Sequence, residues 1–176
     1  MPSINFCCGT YKLEGWENYD REHDIEKPLG FPNEYANFIF IEHGIEHVSQ
    51  TKGFEFIEEC YRILKIGGVL RIAWPDVTKI LKDESGIINE HMRISLKLKS
   101  CSSVGSARIA MFHWGHKSFW DCSLMETAMT VAGFKVSKKA VGESDYDALK
   151  GVECHGKDRV DGSNALICSV VEGVKL

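Results

Sequence analysis

ANFIFIEHGIEHVSQTKGFEFIEECYRILKIGGVLRIAWPD, residues 36–76, decides the fold. Phe38 to Ile41 is a continuous apolar run too short for a helix, the pattern of a strand buried on both faces. From Thr51, a candidate N-cap, Phe54, Ile57, Tyr61 and Leu64 recur at helical spacing, and Glu55, Glu58 and Glu59 lie toward the N-terminal half. Gly67 and Gly68 are expected to stop this helix. VLRIAWP, 69–75, then reads as a second buried strand that Pro75 ends. Strand, helix, glycine stop and strand make a βαβ crossover in a parallel sheet.

The same reading extends outward in both directions. SINFCC (3–8) is an apolar strand closed by Gly9, and GWENYD (15–20) is a shorter strand ending at Asp20. Only six residues separate Gly9 from Trp16, fewer than the ~10 to 12 of a helical crossover, so the first connecting helix is short or absent. Residues 21–35 are loop-like, with HDI (23–25) able to make one brief strand pairing. DVTKILKD (76–83) and IINEHMRISLKLK (87–99) look helical, CSSVGS (101–106) reads as a loop, and FHWGHKSFW (112–120) as an irregular surface segment. SLMETAMTVAGF (123–134) has a capping box of Ser123 with Glu126 and ends at Gly133. FKVSKKAV and ALICSVV supply the last strands, separated by the long polar stretch 142–164, in which Glu143, Ser144, Glu153 and His155 are expected to be solvated or functional.

Composition narrows the class. A chain of 176 residues with 44% hydrophobic content can bury one substantial core, and residues 1–176 are read as a single domain. The net charge of −4 offers no broad basic face, so nucleic acid is not the expected partner. No apolar stretch approaches the ~18 residues of a membrane span, and MPSINFCC has neither the basic segment nor the long apolar core of a signal peptide. A soluble, cytoplasmic protein is expected. The seven cysteines are odd in number and irregularly spaced, and Cys60, Cys101, Cys122, Cys154 and Cys168 read as small buried hydrophobes. Cys7 and Cys8 are adjacent, so on a strand their sulfurs diverge and cannot easily share a metal ion.

INFCCG (4–9), GWENYD (15–20), IEHGIEHV (41–48), ECYRILKIGGVLRIAWPD (59–76), HWGHKSF (113–119) and AGF (132–134) together resemble the class I S-adenosylmethionine (SAM) dependent methyltransferases, in particular a small group with an LNLGCG…GW.N.D beginning and an RVLKPGG block. The resemblance implies a Rossmann-like sheet, mostly parallel with an antiparallel C-terminal strand, and SAM as cofactor. It implies a cofactor site made by Phe6, Cys7, Cys8 and Gly9 at the first turn and by Asp20 as the ribose-binding acid. Asp24 and Ile25 would face the adenine ring, and Glu42 and His43 the methionine end or the acceptor. Cys7 replaces the family's first loop glycine, which places a side chain where ligand and backbone would meet.

Methyl transfer would proceed by in-line displacement onto an unidentified acceptor, with a small molecule or sugar favoured. His43 is the first candidate for a base, His116 the second, and Asp76 a further candidate at the end of a central strand, where it could equally cap the next helix. A non-catalytic SAM- or nucleotide-binding module is the alternative, suggested by Cys7 and the missing crossover helix. HGIEH (43–47) also fits H-x-x-E-H, a zinc-hydrolase pattern with His43 and His47 as ligands and Glu46 as base. That pattern needs a helix, whereas Gly44 after a strand and the cap candidates Ser49 and Thr51 put the histidines in a turn. No metal site is expected there, and the oligomeric state is not legible.

Overall fold

The two apolar runs of residues 36–76 become neighbouring parallel strands. In the computed structural model, which describes residues 2–84, 86–154 and 166–176, the strands are β1 (Ser3–Phe6), β2 (Glu17–Tyr19), β3 (Ala36–Glu42), β4 (Leu64–Pro75), β5 (Phe134–Lys139) and β6 (Cys168–Lys175). They form one sheet in the order β2-β1-β3-β4-β6-β5. The pairs β1/β2, β1/β3 and β3/β4 are parallel, and β6 runs antiparallel to both β4 and β5. This is the expected mostly parallel sheet with an antiparallel C-terminal strand. The helices are α1 (Gln50–Ile63), α2 (Val77–Leu81), α3 (Ile87–Ser95), α4 (Ser103–Phe112) and α5 (Cys122–Val131). Among the described residues no helix is long and apolar enough to cross a membrane.

Side-chain alternation divides the core. Ile39 and Ile41 of β3, Leu70, Ile72 and Trp74 of β4 and Val171 of β6 face one side, against Phe56, Ile57, Cys60 and Ile63 of α1 and Met125, Ala128 and Met129 of α5. Phe40, Ala73 and Val170 face the other, where they meet Val152. No helix joins β1 to β2, in keeping with the short connection, so the second face is covered by irregular chain and by α2, α3 and α4. HDI makes no strand; Asp24 instead accepts the Glu26 amide at 3.0 Å in a turn.

Several local expectations are corrected. The α1 cap is Ser49, whose hydroxyl accepts the Lys52 amide at 3.4 Å, and Thr51 lies in the first turn. Gly67 and Gly68 do not end the helix, because Leu64 turns extended to pair with Ala36 while Phe38 next pairs with Val69. The glycines shape the irregular stretch between these pairings: Gly67 takes φ +78°, and a Cβ on Gly68 would lie 2.9 Å from the Lys65 carbonyl oxygen. CSSVGS is not a loop. Ser102 caps α4, and Ser106, Ala107 and Ala110 are buried, so close packing overrides weak helix propensity. The α3 helix stops at Ser95, with Lys97 in the left-handed region at φ +53°. Asp121, not Ser123, caps α5 and accepts the Leu124 amide at 2.7 Å.

The polar stretch expected in solvent is held down by one cation. Arg71 is fully buried on β4, where its Nε donates to Glu153 at 2.6 Å and its Nη1 to Glu172 of β6 at 2.6 Å and to the Glu143 carbonyl at 2.9 Å. Ser144 adds a hydrogen bond to Glu172 at 2.7 Å, and the Gly142 amide one to Glu153 at 3.0 Å. Ser144 and Glu153 are therefore buried, and residues 142–153 lie across the sheet. His155 lies outside the described residues. Arg71→Ala would leave two carboxylates buried without their cation, and its expected cost is about 3–5 kcal/mol in urea unfolding. A loss below ~1 kcal/mol would show that the ion group does not hold this segment.

Candidate functional site

Ligand space in such a sheet lies beyond the carboxyl ends of the strands, where strand order reverses. Here that point falls between β1 and β3, because β1 continues to β2 on one side and β3 to β4 on the other. Both strand ends turn through left-handed residues, Cys7 at φ +55° and His43 at φ +49°. The two turns touch. A Cβ on Gly44 would sit 2.7 Å from Cys7 Sγ and 2.8 Å from Cys7 Cβ, so only glycine permits the approach. Burial pushes the Cys7 thiol up to about 12, with the charges of Glu46 and Asp20 adding to it, so Cys7 is a packed thiol and not a nucleophile.

Two adjoining compartments meet at this contact. The first, of about 600 Å³, is lined by Cys8, Gly9, Tyr11, Glu42, Trp114 and Cys154 among others. The second, of about 860 Å³, is lined by Asp20, Asp24, Ile25 and Lys117 among others. Cys7, His43 and His47 line both. Gly9 faces the first with φ +51°, and no atom lies within 4 Å of where its Cβ would be, so backbone is open to a ligand there.

Beneath the junction lies a buried acid among histidines. A 3-10 turn, Ile45–His47, follows β3. The amides of Lys117 and Ser118 both donate to the Glu46 carbonyl, at 2.8 and 3.1 Å, and Ser118 Oγ donates to the Ile45 carbonyl at 3.2 Å. Of residues 112–120, expected at the surface, Phe112 and Trp114 are exposed, but the later part is strapped onto the turn, with Ser118 and Trp120 buried and Trp120 against Gly53. The strap brings His116 Nε2 to 4.0 Å from Glu46 Oε1, and His43 Nδ1 lies 3.5 Å from the same oxygen. The His47 and His116 rings meet edge to face with centroids 4.8 Å apart. Burial pushes the Glu46 carboxyl up to about 8, with its own backbone amide opposing and the Glu42 charge adding. Burial lowers both His47 and His116.

The predicted residues separate into three groups. Cys7, Cys8, Gly9, Glu42, His43 and His116 line the first compartment, and Asp20, Asp24 and Ile25 the second. Of these, Ile25 belongs also to the main core, while Asp24 is exposed and paired with Lys27 at 3.0 Å. Phe6 lines neither, being fully buried against Tyr19, Phe31 and Phe56. Asp76 lines neither and is the buried α2 cap, accepting from the Thr78 amide at 2.9 Å and from Ser169 Oγ at 2.7 Å. The candidate bases are engaged within the protein: His43 Nε2 lies 2.9 Å from Cys168 Sγ, and His116 Nδ1 meets the Ala110 carbonyl. Sequence reading put His43 and His47 in a turn and did not group Glu46 and His47 with His116, because His116 stands far along the chain. Adding a methyl at the strand junction, as Gly44→Ala, is expected to cost about 1–3 kcal/mol in thermal or urea unfolding, and less in a Cys7→Gly background. Equal costs in the two backgrounds would exclude the Cys7 contact as the constraint.

Comparison with known proteins places this geometry. Residues 12–72 match the model of a family described as a methyltransferase domain. No curated protein matches the chain by sequence. Among solved structures, a SAM-dependent methyltransferase from Archaeoglobus fulgidus superposes with a TM-score of 0.57 at 13% identity, over 99% of this chain and 86% of that one. Another from Thermotoga maritima gives 0.55 at 18% identity, over 99% and 82%. Phosphoethanolamine N-methyltransferase 2 of Haemonchus contortus, solved with SAM, gives 0.54 at 10% identity, over 99% and 48%. In fold the chain is similar to these SAM-dependent methyltransferases, and residues 12–72 carry the match to the methyltransferase domain.

Proposed function

We propose that the chain transfers the methyl group of SAM to a small-molecule or sugar acceptor by in-line displacement. The observation that carries this reading is the meeting of three strand ends on two joined compartments, with Cys7 to Gly9 after β1, Asp20 after β2, and Glu42 and His43 at the end of β3. The dimensions fit, since ligand sites commonly span ~300–1,000 Å³. The chemistry fits as well: Asp20 can accept from ribose hydroxyls, Ile25 offers an apolar wall to an adenine, and the acid Glu42 favours a cationic sulfonium nearby. Open space at Gly9 leaves room for the methionine end.

When bound, SAM supplies an already activated methyl electrophile, so the protein's share is placement and exclusion of water. The first compartment, walled by Tyr11, Trp114 and Met92, would hold the acceptor. A hydroxyl or protonated amine acceptor also needs a base, and His43 is the proposed one because its ring edges both compartments and Glu46 can orient its Nδ1, with Nε2 turning from Cys168 Sγ to the acceptor. His116 is second. The seven free thiols suit a reducing, cytoplasmic setting.

Calorimetry with SAM and S-adenosylhomocysteine tests the cofactor, and saturable binding is expected. Silence at millimolar ligand would remove the proposal. Asp20→Ala is expected to weaken SAM affinity by about 1–3 kcal/mol through loss of ribose hydrogen bonds; an unchanged affinity would take Asp20 out of the site.

A further inference from the structure

We propose that Glu46, His47 and His116 bind a divalent transition-metal ion, zinc by preference, at the junction of the two compartments. One ligand atom from each of the three lies within 4.8 Å of the other two. Ligands of a tetrahedral zinc, at about 2.0–2.1 Å from the ion, stand roughly 3.3 Å apart, so closing the site asks for side-chain movements on the order of 1 Å.

Two further features point to a cation. Glu46 is only 2% exposed, and among the described residues neither of its carboxylate oxygens accepts a hydrogen bond from another residue, the nearest ring nitrogen being His43 Nδ1 at 3.5 Å. A buried carboxyl left in that state is costly, and a bound cation would satisfy both oxygens and offset the desolvation. His116 is also oriented as metal ligands usually are. It holds the Ala110 carbonyl with Nδ1 and turns Nε2 toward Glu46, and the His47 ring packs edge to face on the His116 ring. A backbone acceptor on one ring nitrogen fixes the tautomer and aims the other at a metal.

Two imidazoles and one carboxylate form a donor set suited to zinc, with a fourth position for water or a substrate oxygen. That position faces the first compartment, which both histidines line. The set differs from the H-x-x-E-H arrangement: Glu46 is a ligand here, and His43, turned to Cys168 Sγ at 2.9 Å, supports Glu46 from behind. The strap that carries His116 completes the site across the 69 residues from His47.

The test uses the full chain, stripped with chelator and dialysed, then titrated with Co²⁺ alone and followed by visible absorption, with Zn²⁺ as competitor. One equivalent is expected to bind with the strong absorption of a four-coordinate ion, and Zn²⁺ to displace it. Glu46→Gln and His116→Ala should each weaken binding about tenfold or more, while the exposed neighbour control His113→Ala leaves it unchanged. Circular dichroism checks folding, and His116→Asn replaces His116→Ala if the latter unfolds. No saturable binding below about 100 µM, or binding that persists in folded Glu46 and His116 variants, overturns the proposal. SAM affinity is measured separately on metal-free protein, so failure of the metal site and failure of the methyl-transfer reading are distinguishable.

Discussion

The close approach of Cys7 to Gly44 sets the geometry on which the candidate site depends. It joins the turns that leave β1 and β3, and it tolerates no side chain at position 44. Both turns pass through non-glycine residues in left-handed conformations, Cys7 and His43, which cost on the order of 1 kcal/mol or more and persist only where surrounding packing enforces them. The contact also divides the ligand space. Cys7, the substitution that from sequence would crowd a cofactor, directs its side chain at Gly44, and the compartments open on either side of it.

A sheet without a helix between its first two strands needs another cover for one face. The Arg71 ion group meets that need by fastening residues 142–153 across β4 and β6. Buried ion pairs add little net stability, but they are directional and impose one arrangement of the chain they hold. That arrangement forms a wall: Val152 and Cys154 line the first compartment, and the Cys154 amide donates to Glu42 at 2.7 Å. Fold stability and the shape of the site are thus coupled through one arginine.

The second wall arises by a different route. Two amides of the aromatic segment bind a single carbonyl of the 3-10 turn, Ser118 adds a third hydrogen bond, and Trp120 fills the space above Gly53. Together these bring His116 over a carboxyl that, among the described residues, accepts no hydrogen bond from another residue. Methyl transfer and metal binding are separate proposals for this rim. They share a physical basis in which acidic groups at the end of β3 favour positive charge at the junction.

The sequence alone determined the sheet. An unbroken apolar run at 38–41, a second at 69–75 that only Arg71 interrupts, a 3.6-residue period between them and a short link from Gly9 to Trp16 are local signals, and local signals specify strands, the α1 helix and the absent crossover. That Asp20 and the turn after β1 lie at the carboxyl ends of their strands was legible for the same reason. Tertiary structure decided the rest. CSSVGS became helix because small residues pack closely, the pair of glycines shaped a bulge because Leu64 found a strand partner, and Phe6 and Asp76 went to core and cap. The buried carboxyls of Glu46 and Glu153 could not be read from their neighbours in sequence, because burial of a charge depends on what packs over it, and here His116 and Arg71 come from distant parts of the chain.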